Sequence, residues 1–286
     1  MNITIIPPVI NILMKKITDF TEGIVNNLFE DRIKVVAEYN LFVGLVSNNF
    51  KGRYSNSIFG YLWHVINPLI QILIYYMVFS QLMGRDIENY WVYLSVGVFS
   101  YNFFSSALNA GTGAITSQRN MITKMSFPRE VLVFSSVGVS LITFVISYSI
   151  LIALIGISGL IPNPWTLLLV PFVIIMETIF VTGLSLASSA LNVYYRDVSY
   201  GIHILTMMLM FLTPIFYMGS MGSNILEAVQ IVNPICYYVE AFHDIIYFGT
   251  VPDIVSICVG VMYAVFVFIA GLMLFKRLEK RFAEKL

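Results

Sequence analysis

Hydrophobic residues follow two patterns along this chain, and the pattern changes near residue 58. Over residues 11–30 and 33–51, apolar positions recur every three or four residues among charged and polar ones, which is typical of amphipathic helices. From residue 58 onward the chain consists mostly of long apolar runs with almost no charge. The first pattern predicts helices that lie in a membrane interface, and the second predicts helices that cross a membrane.

Six of the charge-poor runs are long enough to cross a bilayer, which requires roughly 20 apolar residues in a helix. They cover residues 58–84, 90–118, 131–160, 165–191, 198–218 and 254–275. Backbone groups in lipid must be hydrogen-bonded within their own segment, and no run shows the alternation of a barrel strand. The sequence therefore predicts an all-α membrane protein with six transmembrane helices preceded by amphipathic interfacial helices.

Lysine and arginine are concentrated on one side of this predicted membrane domain. Fifteen of the sixteen lie in the N-terminal region, in loops 119–130 and 192–197, or in the C-terminal tail, whereas Arg85 lies in an alternate loop. A bias of this kind marks the cytoplasmic side. We expect an integral, multi-pass protein of the cytoplasmic membrane with both termini in the cytoplasm.

The segment between the fifth and sixth predicted spans, residues 219–253, is long for a connector and unusually apolar. Residues 235–248 have a helical pattern that is too short to cross a bilayer, and Pro234 and Gly249 are expected to bound this helix. One face of it carries Glu240, His243 and Asp244. We predict a re-entrant segment on the outer side.

These patterns divide the chain into three regions. Residues 1–57 form the cytoplasmic and interfacial helices, which either only anchor the N-terminus or also supply a wall of a cytoplasmic gate. Residues 58–275 form the six-span domain, which includes loop 119–130 and the outer segment 219–253. Residues 276–286 are a basic cytoplasmic tail.

Composition and motifs argue against an enzyme. Only 11% of the residues are charged and 58% are hydrophobic, while equal numbers of acidic and basic residues give no indication of a nucleic-acid partner. The chain has no phosphate-binding loop of the G-x-x-x-x-G-K-[ST] type and no nucleophile-elbow or zinc-protease motif. Its two cysteines form no C-x-x-C pair. We therefore expect no catalytic residues, no metal site and no cofactor in this chain.

Glu177 is the one ionisable residue in the middle of a predicted span, and such residues are functional candidates by default. One interpretation is a protonated carboxylic acid that is hydrogen-bonded to serine or threonine hydroxyls in a helix contact. Another is a proton-coupling group. An intramembrane transferase that uses Glu177 or His243 is a third possibility, but it would require converging polar groups, and the sequence offers only isolated ones.

Tyrosine accounts for 17 residues, and part of this number belongs to interfacial belts and packing. A flat ring with a hydroxyl at its rim also suits contact with the C–H faces and hydroxyls of sugars. We predict that a translocation path is lined by Tyr101, Tyr194, Tyr195, Arg196, Tyr217, Tyr237 and Tyr238.

Four segments together resemble one family of membrane proteins. The first has the pattern R-Y-x-x-S-x-x-G-x-x-W-x-x-x-x-P over residues 53–68. The others are residues 120–130, residues 192–197 followed by the P-I-F-Y of 214–217, and the Asn-Pro at 233–234 that leads into Glu240. In these segments the chain is similar to the permease subunits of ATP-binding-cassette exporters for cell-surface polysaccharides, which comprise the O-antigen, capsule and teichoic-acid group.

The resemblance implies a homodimer that works with two copies of a separate ATPase subunit, which would bind ATP and Mg²⁺. The substrate would be a lipid-linked glycan moved across the cytoplasmic membrane, and a drug or lipid efflux permease of the same architecture is the alternative. Loop 119–130 would dock on the ATPase through Arg119, Asn120, Ile122, Lys124, Phe127, Pro128 and Arg129. Substrate would enter at a gate formed by Arg53, Tyr54, Ser57 and Trp63.

Overall fold

The computed structural model describes residues 36, 39–50, 63–81, 87–124, 127–160, 163–218 and 229–285. Every regular element in these ranges is helical. Residues 39–50 form α1, and the further helices are α2 (Trp63–Phe79), α3 (Tyr90–Ser117), α4 (Arg119–Lys124), α5 (Glu130–Ile157), α6 (Pro164–Leu167), α7 (Val170–Tyr194), α8 (Asp197–Leu212), α9 (Pro234–Phe242), α10 (Ile254–Glu279) and α11 (Phe282–Lys285). The interfacial helix predicted over residues 11–30 lies outside the described residues.

Each of the six predicted spans contains a helix, which confirms a helical membrane protein. Within the described ranges, three helical stretches are long and apolar enough to cross a bilayer, namely Glu130–Ile157, Pro164–Tyr194 and Ile254–Glu279. Two shorter apolar helices, Ile66–Phe79 and Asp197–Leu212, lie at the first and fifth predicted spans. The helix at the second predicted span, α3, is 28 residues long but largely buried within the protein.

Helix α3 is the centre of the bundle and contacts α2, α5, α7, α8 and α9. The closest approach, however, is between α7 and α10, where Gly183 faces Gly271. A β-carbon added at Gly271 would lie 2.0 Å from the carbonyl oxygen of Gly183. Small residues allow this backbone contact, which replaces hydrophobic burial as the source of helix association in lipid.

The helix between the fifth and sixth predicted spans has the predicted bounds. Asn233 caps α9 by accepting a 3.2 Å hydrogen bond from the backbone N–H of Ile235, and Pro234 is its first residue. A π-helical turn, His243–Phe248, continues α9 and ends at Gly249, whose φ of 65° favours glycine. His243 is buried and stacks on Tyr93 at 3.9 Å, so this helix packs its inner side against α3.

Candidate functional site

The predicted coupling loop begins with a short amphipathic helix. Helix α4 follows α3 after one residue, and the backbone N–H groups of Met121 and Ile122 donate to the carbonyl of Gln118. Ile122 is buried against the bundle, whereas Arg119, Asn120 and Lys124 are exposed. The exposed face of α4 therefore carries two cations and an amide.

The second half of this loop is attached to the chain's own C-terminus. Phe127, Pro128 and Arg129 are half-buried, and Phe127 packs beside a buried cluster that includes Ile122. A guanidinium nitrogen of Arg129 donates a 2.5 Å hydrogen bond to the backbone carbonyl of Glu279. Arg129 thus has a partner within this chain, in addition to any acidic group that an ATPase would offer.

Several contacts extend this attachment into a cluster that we call the C-terminal clamp, which comprises Arg129, Glu130, Tyr194, Lys276, Glu279 and Phe282. Lys276 forms a salt bridge with Glu130 and lies 3.6 Å from the Glu279 carboxylate. The Tyr194 hydroxyl donates to the carbonyl of Leu278 at 3.0 Å. The clamp therefore connects the start of α5, the end of α7 and the end of α10.

Phe282 lies at the centre of the clamp. Its side chain is fully buried, with the Tyr194 ring at 6.4 Å, the Phe275 ring at 5.5 Å and the Arg129 guanidinium 5.9 Å from its centroid. Sequence reasoning treated the tail only as a basic segment. The single aromatic residue among the charges of residues 276–286 was the signal that could have indicated a docked tail.

Two of the predicted path tyrosines are buried inside the bundle. Tyr101 donates its hydroxyl hydrogen to the carbonyl of Thr206, which connects α3 to α8. Tyr238 donates to the carbonyl of Gly260 at 2.7 Å and connects α9 to α10. Each hydroxyl forms its hydrogen bond with a backbone carbonyl of a neighbouring helix, and neither side chain reaches the surface of this chain in the described conformation.

The other five predicted path residues lie at opposite ends of the bundle. Tyr194, Tyr195 and Arg196 are at the turn between α7 and α8, where Tyr195 and Arg196 are exposed. Tyr217 and Tyr237 are at the other end, and their hydroxyls donate to nearby backbone carbonyls. The structure therefore does not bring the seven together on one surface, and the path they were expected to line stays a prediction.

Glu177 lies in α7 and is completely buried. Among the described residues, neither of its carboxylate oxygens has a hydrogen-bond partner, so the serine or threonine contact expected from the sequence is not found there. An unpaired carboxylate in such a place is expensive. The side chain is therefore expected to be in its neutral form.

Of the predicted gate residues, Trp63 is the first residue of α2 and is half-buried, while Arg53, Tyr54 and Ser57 lie outside the described residues. Within the described ranges, no group of three histidine, cysteine or acidic side chains is arranged to hold a metal ion. The structure does provide an exposed cationic helix, α4, whose loop is connected through the C-terminal clamp to α5, α7 and α10.

Comparison with known proteins shows which family this chain resembles. Residues 40–247 match the family model described as ABC-2 type transporter. The chain is 29% identical over 246 residues to the O-antigen export system permease protein RfbA of Klebsiella pneumoniae, covering 86% of this chain and 95% of that protein. It is 28% identical over 248 residues to the protein of the same name from Myxococcus xanthus, with the same coverage of both chains.

Proposed function

This chain belongs to the ABC-2 type transporter family, and we propose that it is the permease subunit of an ATP-driven exporter of lipid-linked polysaccharide. The substrate would be of the O-antigen, teichoic-acid or capsule type. The observation that carries this proposal is the alignment with two O-antigen export permeases over 95% of their length. The four sequence segments that resemble polysaccharide exporters lie within the matched residues and agree with it.

The proposed assembly is a homodimer in the cytoplasmic membrane with two copies of a cytoplasmic ATPase. Each protomer would cross the membrane six times, through α2, α3, α5, the α6–α7 stretch, α8 and α10. Both termini would be cytoplasmic, which is supported by the positions of fifteen of the sixteen lysines and arginines. The segment that contains α9 would then lie on the outer side and shape the exit.

In this mechanism the permease makes and breaks no covalent bonds. Binding and hydrolysis of ATP in the partner would shift the permease dimer between a closed and an open conformation. The exposed residues Arg119, Asn120 and Lys124 would contact the ATPase through α4. Movement of α4 would then pass to α5 through Phe127 and Arg129, because both are packed within this chain.

Access for the substrate would be provided by the interfacial helix α1 and by the gate around Trp63, the first residue of α2. The lipid anchor of the glycan would stay in the bilayer, while its sugar chain would pass through the protein. In this scheme, the exposed Tyr195 and Arg196 would meet the glycan on the cytoplasmic side. Tyr217 and Tyr237 would meet it near the exit.

Deletion of the gene, followed by complementation, tests the substrate. Loss of surface glycan that is restored by the wild-type chain would support glycan export. Unchanged surface glycan together with increased sensitivity to lipophilic drugs would instead favour the drug or lipid efflux permease. The control is the wild-type permease expressed with a hydrolysis-deficient ATPase. This complex should assemble but should not transport.

A further inference from the structure

Three helices place polar side chains along one groove near the middle of the bundle. The groove lies between α2, α3 and α5 and has a volume of about 280 Å³. Its polar lining consists of Asn67, Gln71, Asn102, Ser106, Ser140, Thr143 and Ser147.

The positions of these residues indicate a continuous polar surface inside the membrane. Asn67 and Gln71 are four residues apart on α2, as are Asn102 and Ser106 on α3, so each pair lies on one helix face. Asn102 and Thr143 also lie close to the middle of 28-residue helices. Polar groups at this depth are costly in hydrocarbon, which indicates that the groove serves a polar ligand.

The hydrogen bonds within the groove leave acceptors available. The Asn102 side-chain N–H donates to the Gln71 side-chain oxygen at 2.8 Å, and the Gln71 N–H donates to the Tyr75 hydroxyl at 2.9 Å. The first bond holds α2 against α3, and the second lies within α2. The side-chain oxygen of Asn102 has no hydrogen-bond partner among the described residues. Thr143 donates its hydroxyl hydrogen to a backbone carbonyl and retains acceptor lone pairs.

Aromatic rings form the remaining walls, and the groove has no charged lining among the described residues. Phe103 and Phe144 stack at 4.8 Å beside the polar rows, and Trp63 lies at one end. Rings that contact C–H faces and amides that contact hydroxyls suit an uncharged sugar. A diphosphate would require cations, and an acyl chain would leave the polar rows unpaired.

We infer that the α2–α3–α5 groove binds the uncharged sugar portion of the substrate during translocation, through the side chains of Asn102, Gln71 and Thr143. This inference rests on the proposed function. It adds a set of sugar contacts within each protomer, in a groove that none of the tyrosines expected from the sequence lines. The lipid anchor and its phosphates are excluded from this groove by its chemistry.

Binding is tested by thiol protection in the complete permease–ATPase complex. The Thr143→Cys variant, made in a Cys258→Ser background, is labelled with a maleimide in vesicles with and without a lipid-linked hexose oligosaccharide. We expect the oligosaccharide to slow the labelling of Thr143→Cys. Labelling of Glu88→Cys, in the exposed turn before α3, should be unaffected.

Transport by the same complex provides the second readout. Loss of one or two neutral hydrogen bonds should weaken the apparent affinity for the oligosaccharide about three- to tenfold in Asn102→Leu. Asn102→Gln should recover part of this loss, and Ser149→Ala, on an exposed position of α5, should transport like wild type. Complex assembly should persist in all three variants, and basal ATP hydrolysis should match wild type in Ser149→Ala.

The outcomes separate this inference from the proposed function. If wild type exports the oligosaccharide but Thr143→Cys is not protected and Asn102→Leu transports normally, the groove is not a sugar site and the proposed function stands. If wild type with its ATPase exports no oligosaccharide, the proposed function fails and the sugar assignment fails with it.

Discussion

Removal of the Phe282 ring should detach the coupling loop from the C-terminal tail. Phe282 is 0% exposed and touches side chains from three parts of the chain: Tyr194 at the end of α7, Phe275 on α10 and Arg129 before α5. The Phe282→Ala variant removes the ring that these groups share. The remaining salt bridge of the clamp involves Lys276, whose side chain is 51% exposed.

The magnitudes indicate that the clamp would open. Truncation of a buried phenylalanine to alanine costs about 3–5 kcal/mol, and loss of the Arg129 contact adds about 0.5–1 kcal/mol. The contacts that remain are an exposed ion pair, which contributes only about 0–1 kcal/mol, and the hydrogen bonds from Arg129 and Tyr194 to backbone carbonyls, which contribute about 0.5–1.5 kcal/mol each. None of them replaces the lost ring. A loss of about 3 kcal/mol corresponds to a more than hundredfold shift of the local equilibrium toward the detached tail.

The assay compares export, ATP hydrolysis and assembly in the purified complex. We expect Phe282→Ala to insert and to bind the ATPase, but to export poorly for each ATP hydrolysed, because movement of the loop no longer reaches α7 and α10. Phe282→Leu should retain most of the coupling. Phe266→Ala, which truncates a ring that is 69% exposed, is the matched control. Wild-type export per ATP in Phe282→Ala would refute a coupling role for the clamp.

Three further predictions concern docking, packing and charge. Phe127→Ala should insert into the membrane but should reduce ATPase binding, measured by co-purification, or coupled export, measured in vesicles. Unchanged export would contradict a docking role. Gly271→Ala should lower the midpoint of thermal unfolding, since overpacking costs about 1–3 kcal/mol and the added β-carbon meets the Gly183 carbonyl. Gly156→Ala, whose β-carbon meets nothing within 4 Å, is its control. Glu177→Gln should export normally because the buried, unpaired side chain is expected to be neutral, and loss of export in an assembled complex would instead indicate proton coupling.

The sequence predicts the helices of this protein better than their contacts. A helix lies in each of the charge-poor runs, and Pro234 and Gly249 bound the helix between the fifth and sixth predicted spans, because lipid and backbone geometry act locally. The direction of a tyrosine side chain depends on its neighbours. Tyr101 and Tyr238 therefore turned out to be buried, since each finds a backbone acceptor on an adjacent helix.

Two sites depend on residues that are distant in the sequence. The C-terminal clamp joins Arg129 to Phe282, and the groove joins Asn102 to Gln71 and Thr143. Each polar residue of the groove is unremarkable alone, because single asparagine and threonine residues are common in membrane helices. Only the packing of α2, α3 and α5 brings these polar side chains together, and no local sequence pattern predicts that packing.

The central claim is that this permease moves its substrate only with work supplied by an ATPase partner. The most direct measurement reconstitutes the chain in vesicles with a lipid-linked glycan, with and without the co-purified ATPase, and follows the glycan to the other side. We predict transport only when the partner and ATP are both present. Transport by the isolated chain without ATP would contradict the account.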